Sequence, residues 1–385
     1  MKPKRWMIEA AAIAVAVLMV ASMAPRLAQI ENGTSPTGQP LFGDFIAFWS
    51  AGKATLDGQI AEIHERPVLF EIQKTVATQA RFFAPYNSPP PFLFIACLLA
   101  MMPYVTSALV FLFSQVAFYL FAFRKLLSDT RALIFPITAP SIVYQFGTLQ
   151  IAMLVAGVHA LVLHWLDKRP RLAGALIGVM TIKPHLALLW PVFLALSGRW
   201  RTFLAAALST AVIVLAAGLV FGFDAYVRFF HNLADSQGLI SGQRISTPAY
   251  ASLYANLLGL KAPQALAMGV HIASALAGAG IACLVFMRGD RITGGAAFCA
   301  ATLLLSPYLF FYDFLILLVG VALLGAPRNR LEALGAVLAW GSGLTVAIGG
   351  YFAIPLCPIA AWVVLLNVAR RAEIWAPHPA PALQP

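Results

Sequence analysis

The sequence predicts an all-α polytopic membrane protein, crossing a bilayer about ten to twelve times in apolar runs of roughly 20 residues. Three observations carry this. Of 385 residues, 61% are hydrophobic and 11% are charged, against about 25% charged in soluble domains. The apolar runs recur almost to the end of the chain and are continuous rather than alternating, which selects helices over a barrel in lipid. Lys and Arg gather in short clusters between the runs, the pattern that orients membrane helices with basic loops inside.

The net charge of +11 is explained by those clusters, so a nucleic-acid partner is excluded. The four cysteines (Cys97, Cys283, Cys299 and Cys357) lie inside or beside apolar runs with no metal or redox spacing. They read as small buried hydrophobes.

Lys2, Lys4 and Arg5 place the N-terminus in the cytoplasm, with residues 7–24 as a retained first helix. Segment 25–91 is then a long outside loop, rich in Pro, Gly and polar groups. The run 104–123 returns to Arg124-Lys125, 132–146 exits, and 149–165 returns to the basic cluster at 167–171. Residues 172–196 carry arginines at both ends and a break at Lys183-Pro184-His185. Each half is about 12 residues, or ~18 Å of helix, which suits a re-entrant hairpin broken by proline. The run 201–221 exits, and 223–260 is a second outside loop. The runs 262–287, 292–307, 309–325, 331–349 and 353–368 close the parity with both termini cytoplasmic. Residues 1–372 form one integral membrane domain, and 373–385, rich in Pro and Ala, form a disordered tail.

Four stretches are able to carry chemistry. In Phe42-Gly-Asp-Phe-Ile-Ala-Phe-Trp-Ser-Ala-Gly-Lys53, apolar residues recur at helical spacing from Asp44. This predicts an interfacial helix with Trp49 at headgroup level. Asp44 stands at the N-cap, where it serves as a cap or as a general base kept ionised by the helix terminus. The second stretch is Phe83-Ala-Pro-Tyr-Asn-Ser-Pro-Pro-Pro-Phe-Leu-Phe94. Its prolines stiffen a loop and restart a helix too short to span. The third, Thr181-Ile-Lys-Pro-His185, brings a lysine to membrane depth at a cost of about 2.5–3.5 kcal/mol, so Lys183 either snorkels or faces a wet cavity or an anion. The fourth, Ser306-Pro-Tyr-Leu-Phe-Phe-Tyr-Asp313, sets Asp313 at the head of an apolar run, as a cap or as a functional acid. The second outside loop adds Arg228, His231, Arg244 and Tyr250, with arginines suited to lipid phosphates. No Walker loop, dinucleotide fingerprint, HExxH or DxD occurs. Gly174 and Gly178 make a GxxxG pair that reads as helix packing.

Taken in order, the four stretches resemble glycosyltransferase family 87, polyprenol-phosphate-dependent enzymes of the GT-C fold that include mannosyltransferases. The resemblance covers roughly residues 40–320. The family's frequent Gly-Gln ahead of the fourth helix reads Gly147-Thr148 here, with Gln150 displaced.

The resemblance implies transfer of a hexose or pentose from a polyprenyl-phosphate donor to a lipid or glycan hydroxyl. It implies an inner-membrane enzyme whose site faces the periplasm, working without a metal or other cofactor and inverting the anomeric carbon. Asp44 would be the general base. Lys183, Arg244 and Tyr86 would meet the donor's phosphate and lipid, with Lys53, His185, Tyr308 and Asp313 in support. The alternative class is a lipid or solute transporter or flippase. Such proteins tend to carry paired broken helices in repeated halves, whereas this chain has one broken hairpin.

Overall fold

The computed structural model describes residues 5–127, 129–241, 250–345 and 356–375. Among them the chain is 76% helical, in 18 α-helices with no strand. Four helices are long and apolar enough to cross a membrane: Arg5–Pro25, Tyr104–Leu126, Trp200–Phe221 and Gln264–Arg288. Six further apolar helices have 10–17 residues. Among the described residues the expected apolar runs take the form of four long helices and six short ones. Proline accounts for much of the shortening. Pro90–Ala100, Pro170–Ile182 and Pro184–Leu196 all open on proline, which starts a helix well but cannot continue one.

The side chains sort as a bilayer demands. On Trp200–Phe221, Leu204, Leu208, Val212, Leu215 and Leu219 are all more than half exposed. Their spacing of three and four residues makes one apolar stripe on the outer surface. Ala152–Trp165, Arg291–Leu305 and Leu315–Leu324 are instead buried along most of their length. A helix apolar on every side belongs at the centre, and these three form the core.

The segment around Lys183 is a broken hairpin, as its sequence indicates. Helix Pro170–Val179 ends in a tight turn at Met180–Ile182, a second turn covers Pro184–Leu186, and helix Leu189–Leu196 runs back. Lys183 between the turns is extended (φ −148°, ψ 68°), outside α geometry as a residue before proline should be. Asp167 accepts from Arg199 at 3.2 Å and pairs with Arg291 at 3.3 Å. That carboxylate gathers the entry to the hairpin, its exit and the start of the next buried helix at one end of the molecule.

Gly174 and Gly178 press the hairpin against Trp200–Phe221. A Cβ at Gly174 would lie 2.5 Å from the Thr202 carbonyl oxygen, and one at Gly178 would lie 2.3 Å from Ser209 Oγ. Ser209 Oγ uses the close approach to donate to the Ala175 carbonyl at 3.0 Å. Small residues at such crossings are how helices associate in lipid.

One expectation of the first loop is corrected. Helix Phe45–Leu56 is buried almost throughout, including Trp49. The indole donates to the Met102 carbonyl at 3.0 Å and meets Tyr104 edge-on, so Trp49 is a packing residue and not a headgroup anchor. Gly52 allows the neighbouring helix Leu93–Ala100 to approach; a Cβ there would fall 2.0 Å from the Ala96 carbonyl oxygen. Residues 376–385, most of the expected tail, lie outside the described residues.

The glycine contacts yield a stability prediction. Gly174→Leu should lower the unfolding temperature in detergent, by an overpacking cost of about 1–3 kcal/mol. Gly280→Ala, in the same kind of helix with open space around it, should be neutral or slightly stabilising. Equal melting of the two variants would contradict the close crossing.

Candidate active site

Asp44 sits where the chain turns into helix Phe45–Leu56. Phe42 and Gly43 just before it have positive φ of 58° and 24°. The tight entry brings the Asp44 N–H to the Thr148 carbonyl at 3.0 Å. Its carboxylate makes no cap bond to its own helix. Oδ2 instead accepts from the Gln150 side-chain amide at 3.0 Å. The capping reading of Asp44 is thereby set aside: the side chain turns away from its helix.

Gln150 follows helix Pro140–Thr148, which ends on Leu149 in the left-handed region (φ 53°, ψ 46°). Gln145 Oε1 reaches forward to accept from the Gln150 backbone N–H at 2.9 Å. A single turn therefore holds Asp44 through both its backbone and its side chain.

Lys183 approaches from the hairpin. Its ammonium donates to Asp313 Oδ1 and lies 5.0 Å from the centre of the Tyr312 ring. The other Asp313 oxygen accepts from the Phe310 N–H at 3.1 Å, so this carboxylate caps its turn and binds a cation at once. The Asp313 side chain is 1% exposed and that of Lys183 is 13%. A buried charge persists only when paired and hydrogen-bonded, and this pair meets that condition from both sides. Lys183 also lies close enough for its positive charge to act on Asp44.

An aromatic wall completes the region. Phe310 and Tyr312 stack with ring centres 5.2 Å apart, and Tyr250 lies against Phe310 at 4.6 Å. A short antiparallel bridge joins Tyr250 to Phe310, with the Ala251 N–H donating to the Leu309 carbonyl at 2.7 Å. Ser252 caps helix Leu253–Gly259 through the Ala255 N–H and also donates to the Pro307 carbonyl. The segment Tyr250–Ser252 is thus fastened to the fourth motif.

Electrostatics at Asp44 is a contest. Burial pushes its carboxyl above the ordinary aspartate range, while the Gln150 hydrogen bond and the Lys183 charge pull it back. Burial is the largest of these influences. The Tyr250 phenol is raised by burial and, in addition, by the Asp44 charge, which places both groups in one electrostatic neighbourhood.

Three of the motifs found in the sequence therefore converge through Asp44, Lys183 and Asp313. The remaining expected site residues have the following surroundings. Lys53 pairs with Asp57 at 2.7 Å on the exposed end of its helix. Tyr86 is buried, its carbonyl accepting from Asn232 at 3.3 Å and bonded to the His64 ring at 3.1 Å. Tyr308 meets Tyr254 edge-on at 6.1 Å. His185 is half-buried beside the Lys183 turn, and its Nε2 has no partner among the described residues. Arg244 lies outside the described residues. The sequence marks Gln150 only as a displaced residue and Tyr312 only within its motif, neither with a role in the site. The available signal was the pair of amides, Gln145 and Gln150, flanking a turn in an otherwise apolar stretch. Among the described residues no three His, Cys, Asp or Glu side chains gather into a metal site.

The model of glycosyltransferase family 87 matches residues 86–307. The chain belongs to glycosyltransferase family 87. With its apolar helices, this makes it a membrane glycosyltransferase, taking a sugar donor and an acceptor. The matched range includes Gln150, Lys183 and Tyr250 and stops short of Asp44 on one side and Asp313 on the other. Neither the curated proteins nor the solved structures contain a match to the chain.

The ion pair of this family-87 enzyme is open to a double-mutant cycle. Lys183→Met strands the deeply buried Asp313 carboxylate and should destabilise by about 3–5 kcal/mol. Asp313→Asn leaves the more exposed Lys183 and should cost less. The double variant Lys183→Met/Asp313→Leu should recover much of the loss in thermal unfolding. Additive losses would mean that the two groups do not interact.

Proposed function

We propose that this protein transfers a hexose or pentose from a polyprenyl-phosphate-linked donor to a hydroxyl of a lipid or glycan acceptor. The transfer takes place on the periplasmic side of the inner membrane, with inversion and without a metal. The observation that carries this reading is the Asp44 carboxylate, unbonded to its own helix and held by Gln150, in the electrostatic neighbourhood of Lys183. A carboxylate free of its own helix lies within reach of a lysine charge at the tip of a broken hairpin.

In this reading the acceptor hydroxyl docks against Asp44, which takes its proton as the oxygen attacks the anomeric carbon. The bond from that carbon to the phosphate oxygen breaks, and its electron pair leaves on the polyprenyl phosphate. Attack opposite the leaving group inverts the anomeric centre. Lys183 has three N–H donors and gives one to Asp313. The remaining two suit the phosphate on which negative charge builds, stabilisation of the kind that matters most in the transition state. Asp313 orients the lysine and is not itself a base, since both its oxygens are engaged. Arg244 and Tyr86 remain assigned to the donor's phosphate and lipid, with Lys53, His185 and Tyr308 in support.

The test uses purified enzyme in lipid, polyprenyl-phosphate sugars and a membrane-lipid extract. Asp44→Asn should lower transfer by about 10²–10⁴-fold, the usual contribution of a general base; full activity in that variant would refute the assignment. Lys183→Ala should raise the KM for the donor. The base works only when ionised, and burial raises its carboxyl. The acid limb of the kcat profile should therefore fall at a pH above the ordinary aspartate value of about 3.9, and activity should be lost as pH decreases through it.

A further inference from the structure

The turn that ends helix Pro140–Thr148 grips Asp44 from two directions. Its Thr148 carbonyl holds the Asp44 N–H at 3.0 Å, and its Gln150 amide holds Asp44 Oδ2 at 3.0 Å. No described hydrogen bond engages Oδ1. Gln150 is itself held. Its backbone N–H donates to Gln145 Oε1 at 2.9 Å, and its own Oε1 accepts from the Ile151 N–H at 3.3 Å. The second bond settles which way the amide faces: with oxygen turned to a backbone N–H, the NH₂ is the half that meets Asp44. Leu149 in left-handed geometry makes the reversal that aims the side chain back.

We infer that Gln150 is the positioning residue of the catalytic carboxylate, holding Asp44 Oδ2 so that Oδ1 faces the acceptor hydroxyl. The inference rests on the reading of Asp44 as the base. The choice of an amide matters chemically. An arginine in this place would neutralise the base, and a second carboxylate would repel it and raise its proton affinity. A neutral N–H donor orients the carboxylate and favours its ionised form while leaving its charge to the reaction. Gln150 touches Asp44 and not the reacting atoms, so it acts through the base.

The other groups facing Asp44 are Lys183 from the hairpin, Tyr250 at the end of the second loop and Tyr312 in the fourth motif. They are unchanged in Gln150 variants, so a change in titration isolates the amide. Removing a bond that favours the charged form raises the proton affinity of Asp44. The acid limb then moves to higher pH.

The experiment measures kcat, donor KM and the pH profile of kcat for the wild type, Gln150→Ala, Gln150→Glu and Asp44→Asn in lipid. Gln150→Ala should lose roughly ten- to a hundredfold in kcat at neutral pH, the scale of a misplaced catalytic group, with donor KM unchanged. Its acid limb should move up by about one pH unit. Gln150→Glu keeps the side chain's size and should move the limb further up, with activity recovering as pH is raised. An unaltered acid limb in both variants, while Asp44→Asn is inactive, overturns the positioning role and leaves the base standing. A fully active Asp44→Asn overturns both. A lowered melting temperature with an unaltered acid limb assigns Gln150 to packing and likewise overturns the inference.

Discussion

The Lys183–Asp313 ion pair is the constraint around which the rest of the site is arranged. Each partner stands at a proline-marked interruption of an apolar run, Lys183 before Pro184 and Asp313 a few residues after Pro307. Each interruption leaves backbone groups without helical partners, and lipid offers none in exchange. Bringing the two breaks together lets one side chain satisfy several needs. Asp313 caps its own turn and neutralises the lysine, and the lysine lies against the Tyr312 ring. The close Gly174 and Gly178 crossings and the Asp167 clasp at the other end make the hairpin that delivers Lys183 a rigid arm.

Against that neutral pair, Asp44 is the group whose charge is least compensated. It has one amide donor and a lysine already committed to another carboxylate. This is a poor arrangement for stability and, on the proposed reading, a useful one for proton transfer, because a general base works best with its proton affinity raised toward the operating pH. Burial raises that affinity, and the hydrogen bond from Gln150 limits it.

Much of this was legible in the sequence, for identifiable reasons. The helical membrane class follows from composition, which no packing detail can reverse. The broken hairpin was legible because proline acts locally, and the GxxxG crossing because a missing Cβ is itself the signal. Which runs face lipid and which face protein was not. Apolar runs record where a chain is buried in protein or lipid but do not separate the two, so Leu315–Leu324 and Trp200–Phe221 look alike until their surroundings are known. Trp49 was misplaced for the same cause. The contact of Gln150 with Asp44 was not legible because it depends on a left-handed residue, Leu149, which nothing local requires to be left-handed.

The separation of the ion pair along the chain has a consequence for how the protein is made. Asp313 follows Lys183 by 130 residues. At the ~5–20 residues per second of synthesis, the lysine is made on the order of ten seconds before its counter-ion exists. Throughout that interval the hairpin tip carries a cation without the carboxylate that pairs with it in the finished fold, and an unpaired charge is costly to bury. Until Phe311–Leu324 is made, a tip in that condition favours water over lipid. The site is assembled in chain order: Asp44 is made earliest, and the carboxylate that pairs with Lys183 is made last.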